Sequence, residues 1–283
     1  MKRDNTGAGA VAALGQTRGR DWIRVADDTI ACERIEAFFS ARGYDRHRHD
    51  SYAIGRTLSG VQSFSYRGAV RNSLPGDTLV LHPDEPHDGQ AGSADGFHYR
   101  MIYVEPAALQ RVLGGRPLPF VPGGISNDPR LFAATGALLR DLDHPIEALE
   151  FDDALFDLAH ALDAAAGGAA AAARRGADYR AAERARGHLH DDPARPVTLA
   201  ALEAISGRDR WALSRDFRLL FGTSPYRYLV MRRLDLVKAA LRSGATPAQA
   251  AQEAGFADQS HMTRHFTRSV GIAPARWRRA LVA

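Results

Sequence analysis

The sequence predicts an α+β protein: an antiparallel β-barrel and a helical pair first, then an all-α domain in the last third. Three observations carry that expectation. Short aromatic and β-branched runs separated by turn residues fill residues 44–106, the apolar period turns helical from Asn127, and one motif occurs twice near the C-terminus.

The strand candidates are residues 52–58, 61–66, 78–82 and 97–104. Turn signals separate them at Ser59-Gly60, Arg67-Gly68, Leu74-Pro75-Gly76-Asp77 and residues 92–96. Several short strands at such spacing suggest a barrel or sandwich. Leu131, Leu138 and Leu142 then stripe one helix, and Leu149, Leu155, Phe156, Leu158, Ala159 and Leu162 stripe another, with Pro145 between them. This pair is expected to cover the open face of the barrel or to form a seam between subunits. Residues 167–177, low-complexity Gly and Ala with Arg174-Arg175, read as a linker between a domain at 21–166 and one at 178–283. Residues 1–20, rich in Gly, Ala and charge, read as a mobile arm.

Composition narrows the class. A length of 283 residues with 45% apolar and 25% charged side chains is that of a globular protein of about two domains. Charge is uneven: residues 180–283 carry 18 Lys and Arg against 9 Asp and Glu, and residues 1–179 carry 19 against 24. A basic third attached to an acidic remainder fits a nucleic-acid module carried by something else. The one cysteine, Cys32, rules out an internal disulfide and a cysteine-based zinc site. No apolar run approaches the ~20 residues of a membrane span, and residues 8–14 are too short and glycine-rich for a signal-peptide core. A soluble, cytoplasmic protein without membrane association is expected.

The repeated motif is Leu213-Ser214-Arg215-Asp216-Phe217 leading to Gly222-Thr223-Ser224-Pro225, and Met262-Thr263-Arg264-His265-Phe266 leading to Gly271-Ile272-Ala273-Pro274. The copies are offset by 49 residues throughout, so one supersecondary unit is used twice. In the first unit (198–221) Thr198 caps a short helix, Gly207 ends it, and Asp209 caps the next. Leu213, Phe217 and Leu220 form that helix's buried stripe, while Arg210, Trp211, Ser214, Arg215 and Arg218 lie on faces with no reason to be buried. In the second unit (247–270) Thr246 caps, Pro247 takes the first helical position, Phe256 plugs the core and Asp258 caps the second outer helix. Its outer side offers Asp258, Gln259, Ser260, His261, Arg264 and Arg268. A short helix, a tight turn and a second helix with a polar, arginine-bearing face is helix-turn-helix logic.

Between the units lies a helix over residues 225–242, about 27 Å long at 1.5 Å per residue. Two outer helices so joined can sit ~34 Å apart and enter successive major grooves. Arg215, Gln259 and Arg264, in the N-terminal halves of their helices, are expected to read bases, and Arg218 and Arg268 to hold phosphate. Trp211 is either a thymine-methyl or sugar contact or a half-buried surface aromatic.

Residues 178–283 resemble the two-motif DNA-binding domain of AraC/XylS-type transcriptional regulators. The resemblance is carried by Gly255-Phe256-x-Asp258-Gln259-Ser260-His261-Met262-x-Arg264-x-Phe266 with Gly271-x-x-Pro274. Two departures lie in the first unit: Glu203 stands where a small residue is usual, as Ala251 is in the second, and Arg208 where an apolar one is. The pair either loosens that unit or forms a local salt bridge of ~0.5 kcal/mol.

His47-Arg48-His49, Pro75-Gly76-Asp77 and later His82 and His87 resemble a cupin barrel, with His47-Arg48-His49 placed before the first strand and His47 and His49 pointing inward. Three converging imidazoles are chemically what a divalent metal needs. The carboxylate of enzymatic cupins, four or five positions after the His-x-His, is replaced by Ala53 and Ile54. No metal or cofactor is therefore expected, and a metal-dependent cupin enzyme built on His47, His49 and His87 stands as the alternative reading. The resemblance implies instead that the barrel binds a small-molecule effector and dimerises, with Tyr99 and Met101 at pocket positions or else in plain barrel core, while His47, His49 and His87 line the pocket or simply pack. It implies a non-enzymatic, homodimeric regulator of double-stranded DNA that contacts RNA polymerase if it activates. The effector is expected to change how the arm and helical pair hold the DNA-binding domains.

Overall fold

The computed structural model describes residues 21–26, 32–167 and 177–280. The arm expected at 1–20 and residues 168–176 of the expected linker lie outside the described residues.

Among the described residues ten strands run in the order β1 (Trp22–Val25), β2 (Cys32–Phe39), β3 (Arg42–His47), β4 (Tyr52–Gly60), β5 (Gln62–Tyr66), β6 (Ala69–Ser73), β7 (Thr78–Leu81), β8 (His87–Ala91), β9 (Phe97–Val104) and β10 (Ile125–Ser126). They form a six-stranded sheet, β1-β2-β9-β4-β7-β10, and a four-stranded sheet, β3-β8-β5-β6, with antiparallel pairing between neighbouring strands. Arg67 and Gly68 link β5 to β6 at φ 49° and 81°, the two-residue turn that matches strand twist. Residues of one parity (Ile35, Ala37, Phe39, Ala53, Tyr99 and Met101) pack inward with Phe64, Tyr66 and Leu79. Ile54, Ile102 and Val104, of the other parity, face outward onto helices. The Ala53 and Ile54 pair is thus split, one inside the barrel and one outside, and neither position supplies a ligand.

Three helices cover that outer face: α1 (Pro106–Leu113), α2 (Pro129–Leu139) and α3 (Ala148–Ala165). The helical pair therefore lies against the outer face of the six-stranded sheet. Within the stripe expected on α3, Leu155, Leu158, Ala159 and Leu162 are buried, whereas Leu149 and Phe156 are 74% and 54% exposed. Arg34 on β2 is fully buried and donates to the carbonyls of Leu138, Asp141 and His144 at 3.0, 2.6 and 2.9 Å, which satisfies the end of α2.

The C-terminal helices are α4 (Tyr179–Asp191), α5 (Leu199–Ser206), α6 (Arg210–Phe221), α7 (Pro225–Arg242), α8 (Pro247–Glu253), α9 (Gln259–Val270) and α10 (Pro274–Ala280). Their caps follow the sequence. Thr198, Asp209 and Asp258 accept from backbone amides of the first turns, and Thr246 with Gln249 forms a full capping box. Gly207, Gly222 and Gly271 end α5, α6 and α9 in the left-handed conformation. Glu203 and Arg208 do not pair with each other. Glu203 accepts from the Arg210 backbone at 2.9 Å, and Arg208 reaches the fully buried Asp216 at 2.8 Å. Both departures thus tighten the first unit: one holds the start of α6, and the other compensates a buried carboxylate.

The two units belong to different cores. Leu213, Phe217, Leu220 and Phe221 of the first pack with α4, Tyr228 and Leu229. Met262 and Phe266 of the second join Val237, Leu241, Phe256 and Trp277 in a cluster continuous with the barrel interior.

Candidate functional site

The outer faces of α6 and α9 are open. Arg210, Trp211, Arg215 and Arg218 are exposed, Trp211 by 79%, and Ser214 is half-buried. On α9, Asp258, Gln259, Ser260, Arg264 and Arg268 are exposed and His261 is half-buried. Several also hold the helix itself. Asp258 accepts from the His261 amide at 2.7 Å, Arg210 touches Glu203 at 3.3 Å, and Arg218 donates to the Ser214 carbonyl at 3.0 Å.

Part of the remaining basic charge faces the barrel. On α7, Lys238 and Arg242 bracket Glu33 at 3.1 and 2.9 Å, Arg227 lies 2.9 Å from Asp84, and Arg232 reaches Asp50 at 3.3 Å and pairs with Glu105. Arg276 on α10 reaches Asp21 at 3.3 Å. Burial alone raises the Glu33 carboxyl, but the Lys238 and Arg242 charges outweigh it and hold it below its ordinary value. The acidic and basic halves of the sequence thus form a clamp within one chain.

Backbone contacts reinforce the clamp. The Asp45 amide donates to the Gly271 carbonyl at 2.9 Å and the Arg48 amide to the Arg268 carbonyl at 3.1 Å, so the end of α9 sits on the end of β3. Gly222 at the end of α6 stands where a Cβ would come within 2.6 Å of Pro83. The two equivalent glycines of the repeat therefore both cap an outer helix and both touch the barrel. That second role is not readable from the sequence.

Inside the clamp is a cavity of about 470 Å³. Ile23, Val25 and Ile35 wall it from the barrel, Met231, Leu234 and Trp277 from the helical domain. Glu33, Lys238 and Arg242 supply charge at its edge, and Tyr44, His47, His49 and Tyr103 line it from the barrel side. Tyr99 and Met101 are not on this wall. They pack in the barrel interior, where the Tyr99 hydroxyl bonds to that of Tyr44. Sequence reasoning missed Tyr44, Tyr103 and Lys238. Tyr103 shares the parity of Tyr99 and Met101 but lies nearer the end of β9, and Lys238 reaches the cavity only through the docking of α7.

His47, His49 and His87 do come together, with ring centroids 4.3, 4.8 and 6.1 Å apart. His47 closes β3 and His49 follows in the loop, so they come after the third strand and not before the first. Burial, then a neighbouring imidazole, pushes His47 and His87 down to about 3, so both are neutral. His82 lies apart. Its Nε2 accepts from the Val121 amide at 2.9 Å and its Nδ1 bonds to the Tyr66 hydroxyl.

A family model described as an AraC-like ligand binding domain matches residues 29–162, and one described as a helix-turn-helix domain matches residues 202–280. The chain belongs to the AraC-type transcriptional regulators. Among relatives, the regulator is 26% identical over 223 residues to the uncharacterized HTH-type transcriptional regulator YbfI of Bacillus subtilis, covering 77% of this chain and 81% of that one. It is 35% identical over 92 residues to a putative AraC-like transcription regulator of Streptomyces lividans, covering 32% of this chain and 30% of that one. Among solved structures, ToxT of Vibrio cholerae bound to an unsaturated fatty acid superposes with a TM-score of 0.60 at 12% identity, over 100% of this chain and 98% of that one. A second ToxT structure gives 0.61 at 12% identity over 93% and 98%. The regulator thus combines a ligand-binding domain with a helix-turn-helix DNA-binding domain, and among the described residues no helix is long and apolar enough to cross a membrane.

Proposed function

We propose that this chain is a cytoplasmic, homodimeric, non-enzymatic regulator that reads a bipartite DNA site and answers to a small amphipathic effector held in the interdomain cavity. The carrying observation is that cavity, walled by both domains at the seam where the clamp closes. An effector with an apolar body and an anionic head suits the walls, because Lys238 and Arg242 stand at the edge. Its head group competes with Glu33 for those two cations and so shifts the balance between closed and open clamp. ToxT bound to an unsaturated fatty acid offers a precedent of the same ligand class. His47 and His49 form the polar floor of this site, with His87 beneath them, and Tyr99 and Met101 act from behind as packing that positions Tyr44.

In this reading, residues 21–166 sense, residues 178–283 read DNA, and the dimer, on activation, contacts RNA polymerase. Arg215, Gln259 and Arg264 read bases. Arg210, Arg218 and Arg268 hold phosphate, while Ser214, Ser260 and His261 add polar contacts, Trp211 packs on sugar or thymine methyls and Asp258 sets the start of α9. Selection of bound sequences from a random duplex library tests this directly. Wild-type protein is expected to enrich two motifs about one helical turn apart, and Arg215→Ala or Arg264→Ala each to cost about 1–3 kcal/mol of specific binding and relax one motif. Enrichment of a single motif, or none, would remove the bipartite reading.

A further inference from the structure

We propose that His47, His49 and His87 form a divalent-cation site of the zinc class, beside the interdomain cavity and under the end of the second outer helix. Their candidate ligand atoms all lie within 4.8 Å of one another, and all three residues are buried. The hydrogen bonds decide how the rings are protonated. Each Nδ1 sits against a backbone carbonyl: Asp45 at 2.8 Å for His47, Ser51 at 2.7 Å for His49 and Glu85 at 2.9 Å for His87. A carbonyl only accepts, so each Nδ1 carries the proton and each Nε2 keeps a lone pair. Fixing one ring nitrogen by a backbone carbonyl so that the other is free to ligate is the outer-shell arrangement of metal-binding histidine.

A cluster that merely packs would satisfy its second nitrogens from the protein. His82, equally buried in the same barrel, does so on both sides. His49 does not: its Nε2 is buried with no hydrogen-bond partner among the described residues. Such an orphan is unfavourable in a buried site, and a cation among the three rings removes that cost. Neutral imidazoles without a carboxylate suit zinc, copper, iron or nickel and not calcium or magnesium. Three protein ligands leave a fourth position for water or an anion, and His47 and His49 line the cavity from which it would come.

The site also lies at the seat of α9. His47 ends the strand whose Asp45 amide holds the Gly271 carbonyl, and the Arg48 amide between His47 and His49 holds the Arg268 carbonyl. A cation bridging His47 and His49 to His87 stiffens this seat. That consequence rests on the reading of α9 as a DNA-contacting helix, whereas the site itself does not.

The test uses full-length protein stripped with a chelator and titrated with Zn²⁺, with Mg²⁺ as control, followed by metal analysis and thermal unfolding. One zinc per chain is expected. At about 100 times the dissociation constant the unfolding midpoint should rise by several degrees, and Mg²⁺ should change nothing. His49→Leu removes the orphaned nitrogen and so retains cooperative unfolding while losing on the order of 100-fold or more in zinc affinity. His87→Gln is the second ligand variant. Zinc uptake by wild type no tighter than by these two variants overturns the site. Stripped protein that binds no zinc yet enriches a bipartite DNA site refutes the cation site and leaves the regulator reading intact. Zinc held by the trio with no DNA sequence enriched refutes the DNA reading and leaves the site standing.

Discussion

Gly271 meets two independent demands. Its φ of 78° strains any side chain, and a Cβ there would come within 2.9 Å of the Asp45 carbonyl and 2.8 Å of the His47 ring. Gly207, also a helix cap at φ 70°, has nothing among the described residues within 4 Å of its Cβ position. Gly207→Ala therefore reports the backbone strain alone, about 1 kcal/mol. Gly271→Ala should cost about 1–2 kcal/mol more as the seat of α9 opens. Urea midpoints of the two variants, compared directly, measure that difference, and equal losses would remove the contact from the argument. His82 offers a second residue-scale test. Burial, then the Arg67 charge, pushes it down to about 3 from an ordinary 6.5, and its Nε2 accepts from the Val121 amide, a bond that only the neutral ring can make. The folded state resists a proton that the unfolded chain accepts, so stability is complete above pH 6.5 and falls as pH drops below it. At pH 5.5 the loss from His82 is about 1.4 kcal/mol. Replacing His82 by Gln, which can accept from Val121 and donate to Tyr66 without titrating, should flatten the wild-type curve by that amount between pH 7 and 5.5.

At the scale of elements, α3 carries an exposed apolar edge. Leu149 and Phe156 are seven residues apart, two turns along one face, and both project while the rest of the stripe is buried. The proposed homodimer places this edge against the same edge of a second copy, so Leu149→Asp with Phe156→Glu should yield a monomer by light scattering with the barrel still folded. An unchanged mass would move the dimer elsewhere. The two helix-turn-helix units also differ as elements. The second lies in a core continuous with the barrel, whereas the first has its own core, held by Arg208 on the buried Asp216. An event in the barrel therefore reaches α9 more directly than α6.

For the whole molecule, the clamp is the feature that sets response. Its Glu33, Lys238 and Arg242 pairs are partly exposed, with side chains 20–37% accessible, so each contributes about 1 kcal/mol or less and weakens with salt. Glu33→Lys turns two attractions into repulsions. Small-angle scattering at low salt should show a larger radius of gyration for this variant than for wild type, and the gap should narrow as salt rises. Equal radii at low salt would show that the apolar seam alone holds the domains.

The sequence by itself determined the local layer: turns at Arg67-Gly68, caps at Thr198, Asp209, Thr246 and Asp258, the buried stripes of α6 and α9, and the duplicated unit that carries the family resemblance. These follow from short-range rules, in which a residue's neighbours within one or two turns set its conformation. Strands β1 to β3, β6, β8 and β10 were not legible, and in β2 the reason is that Glu33, Arg34 and Glu36 break the apolar pattern. The structure buries Arg34 on helix carbonyls and ties Glu36 to Arg24 and Arg100. Helix α1 was overlooked although Pro106 and Gly114 mark its ends. Only the tertiary structure decided that part of the basic charge of the last third faces the barrel, that the motif glycines are docking points, and that the cavity wall comes from Tyr44, Tyr103 and Lys238 and not from Tyr99 and Met101. Each of these joins residues more than fifty positions apart. Partners across a domain seam are chosen by how two surfaces fit, and no periodicity along the chain encodes that fit.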